Sequence, residues 1–241
     1  MKVSGTSRAH DAKVEILNAI TEGRYPGPKL PSEEDLANEL GVSVITLREA
    51  LRELHNDGYI TKKHGSGNFI HRSALGMNMR MDKTKNLSDL LKGRYETIHF
   101  WHSDYRKLLP GKTVREMLQL SREDETILYE RKILVDEGKV AVFSRNYIPV
   151  RLFQKSIPDL VQKPSIMDFI WENCRQEVVQ TAVYVTPFLT DEVIAEHLGI
   201  CPEEASIRWN EVFHNMHDVP LGVSIVYFHP RLVDMHLIIK W

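Results

Sequence analysis

Apolar positions spaced three and four apart mark short helices near the N-terminus, and β-prone runs follow them. Val14, Leu17, Ile20 and Thr21 lie on a pattern from about His10 to Glu22 and predict the first helix. Leu36 and Leu40 stand on one face of a second, and Leu47, Leu51 and Leu54 form the stripe of a third. The punctuation agrees. Ser32 with Asp35 is a capping-box pattern, Gly41 suits a turn that needs positive φ, Val42 plugs the angle between helices, and Ser43 caps the next one. Gly58 ends that helix, and two β-prone runs joined by His64-Gly65-Ser66-Gly67 follow. This order of parts predicts a winged helix-turn-helix, a device that sets one helix in the DNA major groove. Its candidate DNA contacts are Ser43, Val44, Ile45, Thr46 and Arg48, at a helix N-terminus suited to phosphate, with Lys62, Lys63, His64 and Gly65 at the wing.

The pattern then changes. Residues 73–94 have mixed polarity and read as a linker, with a short helix from Asn86 to Lys92 ended by Gly93. From Tyr95 onward β-prone runs appear at 97–101, 127–135 and 140–147, and helices at 112–120, 166–173 and 191–198. Asp136 to Gly138 reads as a hairpin turn. Shifting the chain by 80 residues lays Leu118-Gln119-Leu120 on Leu198-Gly199-Ile200, Ile127 and Tyr129 on Ile207 and Trp209, and Ser144…Tyr147 on Ser224…Tyr227. The expectation is an α+β protein. A winged helix-turn-helix at 1–72 and a linker at 73–94 precede an α+β domain at 95–241, whose antiparallel sheet, built from an internal duplication, carries helices on one face.

Charge refines this picture. Through residue 72 there are ten Lys/Arg and ten Asp/Glu, so the head is neutral and non-specific DNA binding is expected to be weak. Residues 73–94 carry a surplus of three positive charges within a chain of formal charge −2, which leaves the remainder acidic. Two cysteines, Cys174 and Cys201, form neither a disulfide framework nor a metal set. No apolar run reaches membrane-spanning length, and the N-terminus carries no secretory pattern, so a cytoplasmic protein is expected. His99/His102 and His214/His217 are spaced H-x-x-H. Strand positions three apart face opposite sides, so His99 and His102 could not share a metal, His214 and His217 fall at an expected hairpin turn in solvent, and no metal or other cofactor is expected. No catalytic or nucleotide-binding fingerprint is present.

Pro26-Gly27, Leu30-Pro31-Ser32-Glu33, Leu40-Gly41-Val42-Ser43, Arg48-Glu49-Ala50-Leu51 and Gly65-Ser66-Gly67 together resemble the GntR family of bacterial transcription regulators over residues 8 to 72. Val44 and Glu34 stand where that family usually has arginine. Residues 95–241 resemble the UTRA effector domain of its HutC-type branch, whose fold is like chorismate lyase. The matching residues are 118–128, 198–207, Tyr147-Ile148-Pro149 and Ser165-Ile166-Met167.

The resemblance implies a small acidic or polar metabolite, held in a cleft of the sheet by Ser165 at a helix N-terminus, by Arg145, and by Arg131 or Lys132. Those last two alternate to opposite faces. Ser224 and Tyr227 are hydrogen-bonding candidates. Ser144 replaces a common Glu of the family, which suggests a ligand lacking the amine or sugar hydroxyl that a Glu would accept from. The expected function is a ligand-responsive regulator, by family a repressor, binding a palindromic operator as a homodimer and answering an anionic metabolite. The alternative is a chorismate lyase-like enzyme tethered to DNA.

Overall fold

The computed structural model describes residues 7–83, 86–154, 156, 160–163 and 165–240. The chain divides into two compact units, residues 1–84 together with 236–241, and residues 85–235. The boundary therefore falls inside the expected linker. Residues 73–83 belong to the head, Lys85 of the basic stretch lies outside the described residues, and the short helix α4 (Leu87–Leu91) belongs to the second unit.

In the head, α1 (Arg8–Thr21), α2 (Glu33–Leu40) and α3 (Val44–Asn56) precede β1 (Ile60–Lys63) and β2 (Gly67–Ile70). Ser7, Ser32 and Ser43 each accept a backbone N–H of the helix they open, and Gly41 closes α2 with φ +63°. Leu36, Leu47 and Leu54 are fully buried with Ile16, Ile20 and Ile60. Each contributes about 2 kcal/mol of hydrophobic burial. The buried stripe of α1 differs from the expected one. It runs through Ala9, Ala12, Ile16, Ala19 and Ile20, while Val14 and Thr21 are exposed and Leu17 is half-buried. Alanines satisfy the helical period as well as larger residues do, and they let α1 lie close to α3.

The final residues return to the head. His236 exchanges backbone hydrogen bonds with Met79 and Met81, and its Nδ1 lies 2.7 Å from the Asn78 carbonyl. The Lys240 ammonium donates to the carbonyls of His55 (3.4 Å) and Asn56 (2.8 Å), covering the C-terminal end of α3, where a cation is favoured. Ile238 lies over Gly58. The chain thus passes between the units at 84/85 and again at 235/236.

The second unit is built on one antiparallel sheet. Its strands are β3 (Ile98–His102), β4 (Arg106–Leu108), β5 (Thr126–Val135), β6 (Lys139–Pro149), β7 (Gln180–Leu189), β8 (Ala205–His214) and β9 (Pro220–Phe228), in the order β3-β5-β6-β9-β8-β7 with β4 beside β5. The β5–β6 turn is made by Glu137 and Gly138, both at positive φ, and a bulge at Ile133/Leu134 supplies the hairpin's extra residue. Helix α5 (Lys112–Met117) packs through Val114 and Leu118 on Val212 and Val223. Helix α7 (Glu192–Leu198) packs through Ile194 and Leu198 on Phe143 and Tyr227, on the same face. Helix α6 (Ile166–Cys174) packs on the opposite face against Tyr129, Ile148 and Phe213. The expectation of helices on one face is corrected: α6 covers part of the other, because Ile127, Tyr129 and Ile148 leave an apolar patch there. The order helix, strand, strand occurs twice, as α5-β5-β6 and as α7-β8-β9.

A Cβ on Gly58, whose φ is +77°, would lie 2.9 Å from Ile238 Cγ2. Gly58→Ala should destabilise the head by more than the ~1 kcal/mol of a disfavoured φ. Ile238→Ala in the same chain should return the excess. Denaturant unfolding of the two single variants and the double variant measures this coupling; strictly additive losses would mean that the 236–240 segment does not rest on Gly58.

Candidate nucleic-acid interface and effector cleft

The N-terminus of α3 and the wing form one surface of the head. Ile45 is 80% exposed, Arg48 is exposed, and Thr46 is half-exposed with its hydroxyl 2.9 Å from that of Ser43. Val44 turns inward and packs against the head core, apart from the other candidates. Lys62, Lys63, His64 and Gly65 are exposed, and Gly65 and Gly67 take the positive φ of the wing turn. Residues not expected from the sequence to be DNA contacts complete the surface. Glu33 accepts from Arg48 Nε at 2.6 Å through one carboxylate oxygen and from Lys62 Nζ at 2.9 Å through the other. These two cations hold the Glu33 carboxyl below the usual range. Arg52, His55 and Asn68 line the groove between α3 and the wing, and the buried Asn68 Oδ1 has no partner among the described residues.

In the sheet, register sorts the candidate residues. Arg131 pairs with Ser144, which pairs with Val226 and through it with Trp209. One row along, Tyr129, Asn146, Ser224 and Glu211 stand side by side. All these side chains lie on the face that carries α6. Ser224 Oγ donates to Asn146 Oδ1 at 2.7 Å, and Asn146 Nδ2 donates to the Tyr129 carbonyl (3.2 Å) and to Ser144 Oγ (3.3 Å). The Tyr129 hydroxyl and Trp209 Nε1 are buried polar atoms with no partner among the described residues. The Arg131 guanidinium lies 5.8 Å from the centre of the Phe100 ring. Ser165 caps α6 on this face, accepting from Met167 and Asp168. Burial pushes the Glu211 carboxyl up to about 7, opposed by the positive charge of Arg131. The sequence reading missed Glu211, Asn146 and Trp209, although Trp209 had been aligned with Tyr129.

The remaining candidates face the other way, towards α5 and α7. Arg145 Nε donates to Glu130 at 3.0 Å, Lys132 lies over the Trp101 ring at 5.4 Å, and Tyr227 lies beside Phe143, on which His197 stacks at 4.0 Å. Burial, with Lys132 second, holds the His197 imidazolium pKa below its ordinary value. Arg131, Ser144, Ser165 and Ser224 are therefore brought to one side of the sheet, and Lys132, Arg145 and Tyr227 to the other. The face with α6 offers a cation, hydroxyl and amide groups and a carboxylic acid near its neutral form: chemistry for an anion that carries hydroxyls. Among the described residues no group of three His, Cys, Asp or Glu converges as a metal site, and no helix is long and apolar enough to cross a membrane.

Glu211 is the group on this face that ties stability to pH. Its folded pKa lies above the ordinary value of 4.5, so its contribution to stability is full below that value and is lost as pH rises through about 7. Glu211→Gln should therefore gain stability relative to wild type on going from pH 5 to pH 8, by about 3 kcal/mol at most. Urea unfolding of both proteins at the two pH values measures it; an equal difference at both would contradict the buried acid.

Comparison with known proteins assigns the two units to known domain families. Residues 9–70 match the bacterial regulatory proteins of the gntR family, and residues 102–233 match the UTRA domain. The HTH-type transcriptional regulator GmuR of Bacillus subtilis (strain 168) is 26% identical over 197 residues, which is 80% of this chain and 81% of that one. MngR of Escherichia coli (strain K12), repressor of a mannosyl-D-glycerate transport/metabolism system, is 24% identical over 189 residues, covering 77% and 76%. The crystal structure of YydK, a possible transcriptional regulator from Bacillus subtilis, superposes with TM-score 0.74 over 98% of this chain and 100% of that one. At 18% identity it speaks for the fold. These relatives are regulators of transcription rather than enzymes, and the lyase alternative falls away. The chain belongs to the GntR family: a DNA-binding transcriptional regulator with a UTRA effector-binding domain, fitting the HutC/UTRA-type branch.

Proposed function

We propose that this regulator is a cytoplasmic, homodimeric repressor that leaves a two-fold symmetric operator when a small hydroxylated anion binds the α6 face of its sheet. The observation that carries the DNA half of the reading is the surface formed by Ile45, Thr46 and Arg48 beside the wing residues Lys62, Lys63 and His64. Arg48 suits a guanine edge and the exposed Ile45 a thymine methyl, while the wing lysines suit phosphates. The repressor role is supported by MngR, whose name is that of a repressor.

Arg131 would meet the effector's negative charge, and Ser144, Ser224 and Ser165 would meet its polar atoms. Glu211 changes the expectation drawn from Ser144. A carboxyl group is present on this face after all, supplied by β8, so the effector carries a hydroxyl or amine for it to accept from. Effector binding shifts the spacing of two heads by its differential affinity for the two arrangements, typically about 1–3 kcal/mol of coupling. The recurrence of helix, strand, strand at an offset near 80 residues supports a duplicated origin of the sheet.

Dimerisation is supported by β7. It is the terminal strand of the sheet, none of its ten residues is charged, and Val183, Tyr184 and Val185 are exposed. Pro187, which has no N–H to offer, blunts only the far end of this edge, so residues 180–186 remain open to strand pairing, and the same strand of a second copy satisfies them.

Three experiments test the proposal. Thr46→Ala and Arg48→Ala should each weaken binding to an operator selected from random-sequence duplexes by about 1–3 kcal/mol, with the head still folded by circular dichroism. Unchanged affinity for Arg48→Ala would remove α3 as the reading helix. Sedimentation at micromolar concentration should give a dimer that Val183→Lys dissociates; a wild-type monomer would refute the dimer. Sugar phosphates, hydroxycarboxylates and phosphonates should be screened by thermal shift, with Arg131→Ala and Ser224→Ala losing the response. A response untouched by both substitutions would move the site off this face.

A further inference from the structure

We infer that Glu33 is a specificity-determining residue of the DNA interface, a carboxylate that aims the Arg48 guanidinium at base edges and keeps phosphates away from it. The inference rests on the reading of α3 and the wing as the DNA surface. Glu33 opens α2, yet its two carboxylate oxygens hold a cation from α3 at 2.6 Å and one from the wing at 2.9 Å. One side chain thus ties together the three elements that would touch DNA. The contact to Arg48 is made through Nε. A guanidinium is planar, with five donors in a fixed fork. Holding it at Nε fixes its plane and leaves the terminal amino groups available for a bidentate contact to guanine O6 and N7.

The second consequence is electrostatic. The head carries equal numbers of acidic and basic residues through position 72. Two cations that could neutralise phosphate are already engaged by Glu33. A phosphate approaching Lys62 or Arg48 meets the carboxylate charge and must displace an existing ion pair. A base edge, which is neutral, need not. The same carboxylate therefore weakens sequence-independent attraction, which phosphate neutralisation dominates, and spares the direct readout. Specificity is a difference of affinities, and a repulsive element raises it as well as an attractive one.

The test uses the full-length protein, an operator selected in vitro and a random-sequence duplex. Wild type, Glu33→Gln, Glu33→Asp and Arg48→Ala are compared across a salt series. Glu33→Gln removes the charge but keeps the shape. It should bind the random duplex several-fold more tightly, steepen the salt dependence by about one phosphate, and lower the preference for operator roughly tenfold. Selection repeated with this variant should relax the preference at the base pair that Arg48→Ala also relaxes. Glu33→Asp keeps the charge but is too short to span both cations, so it should lose preference without gaining random-duplex affinity. A Glu33→Gln protein whose two affinities fall in parallel, or whose operator preference is unchanged, overturns the inference. If Arg48→Ala also leaves operator binding unchanged, the DNA surface itself is misassigned, and that failure is distinguishable from the failure of Glu33 alone.

Discussion

The pairing of β6 with β9 is the constraint on which the second unit depends. It sets Asn146 opposite Ser224, 78 positions away in sequence, and the two side chains bond to each other inside the sheet. A buried amide or hydroxyl without a partner costs about 1–3 kcal/mol, so this pair resists a shift of register. A slip of β6 by one residue against β9 would send Asn146 and Ser144 to the face of α5 and α7, away from Ser224, and bring Phe143 to the face of α6. The register therefore maintains both the apolar seat of α7 and the row of polar side chains on the face of α6. Asn146 also bonds the Tyr129 carbonyl and Ser144, which extends the same lock to β5.

The head is organised differently. Its helices are held by aliphatic burial around Leu36, Leu47 and Leu54, and its polar groups lie at the margins as caps and ion pairs. A leucine core is permissive about what the outer face carries, so α3 can vary its exposed residues at little cost to stability. The ion pairs at the margin carry more information than energy. Exposed pairs contribute about 0–1 kcal/mol each, yet Glu33 decides where Arg48 and Lys62 rest. Arg72 has a similar organising part, donating from one guanidinium to the carbonyls of Ile20, Tyr25 and Gly27 and so tying the end of the wing to the end of α1.

The 236–240 segment adds a second crossing of the chain into the head. Its contacts are backbone hydrogen bonds to residues 79 and 81, one aliphatic side chain on Gly58 and one ammonium over the last carbonyls of α3. The matched span of the UTRA domain stops at 233, before these residues. They lie at the C-terminal end of α3, opposite the end expected to meet DNA.

Local signals determined the head almost completely. Ser32, Gly41, Ser43 and Gly58 are caps and turns whose meaning depends on neighbours within four residues, and each lies where its chemistry requires. After residue 95, strands β3, β5 and β6 and helices α5, α6 and α7 were legible for the same reason, as was the Asp136 to Gly138 hairpin, and the 80-residue shift pointed to β8 and β9; strands β4 and β7 were not read. Strand alternation also held information that the sequence reading left unused when it grouped Ser144, Arg145, Ser224 and Tyr227 in one site: Ser144 and Arg145 are adjacent, and Ser224 and Tyr227 are three apart, so within each pair the two side chains must take opposite faces of a strand. What no local rule contains is which strands become neighbours. Strands β6 and β9 are joined by an intervening helix, strand, helix and strand, and only their pairing sets Glu211 in one row with Tyr129, Asn146 and Ser224. The bond from Glu33 to Lys62 spans 29 positions and three elements and depends equally on packing. Period and capping act over one turn or one strand. The contents of a cleft depend on contacts between distant segments, whose closure is decided by the burial of the whole sheet and the whole head.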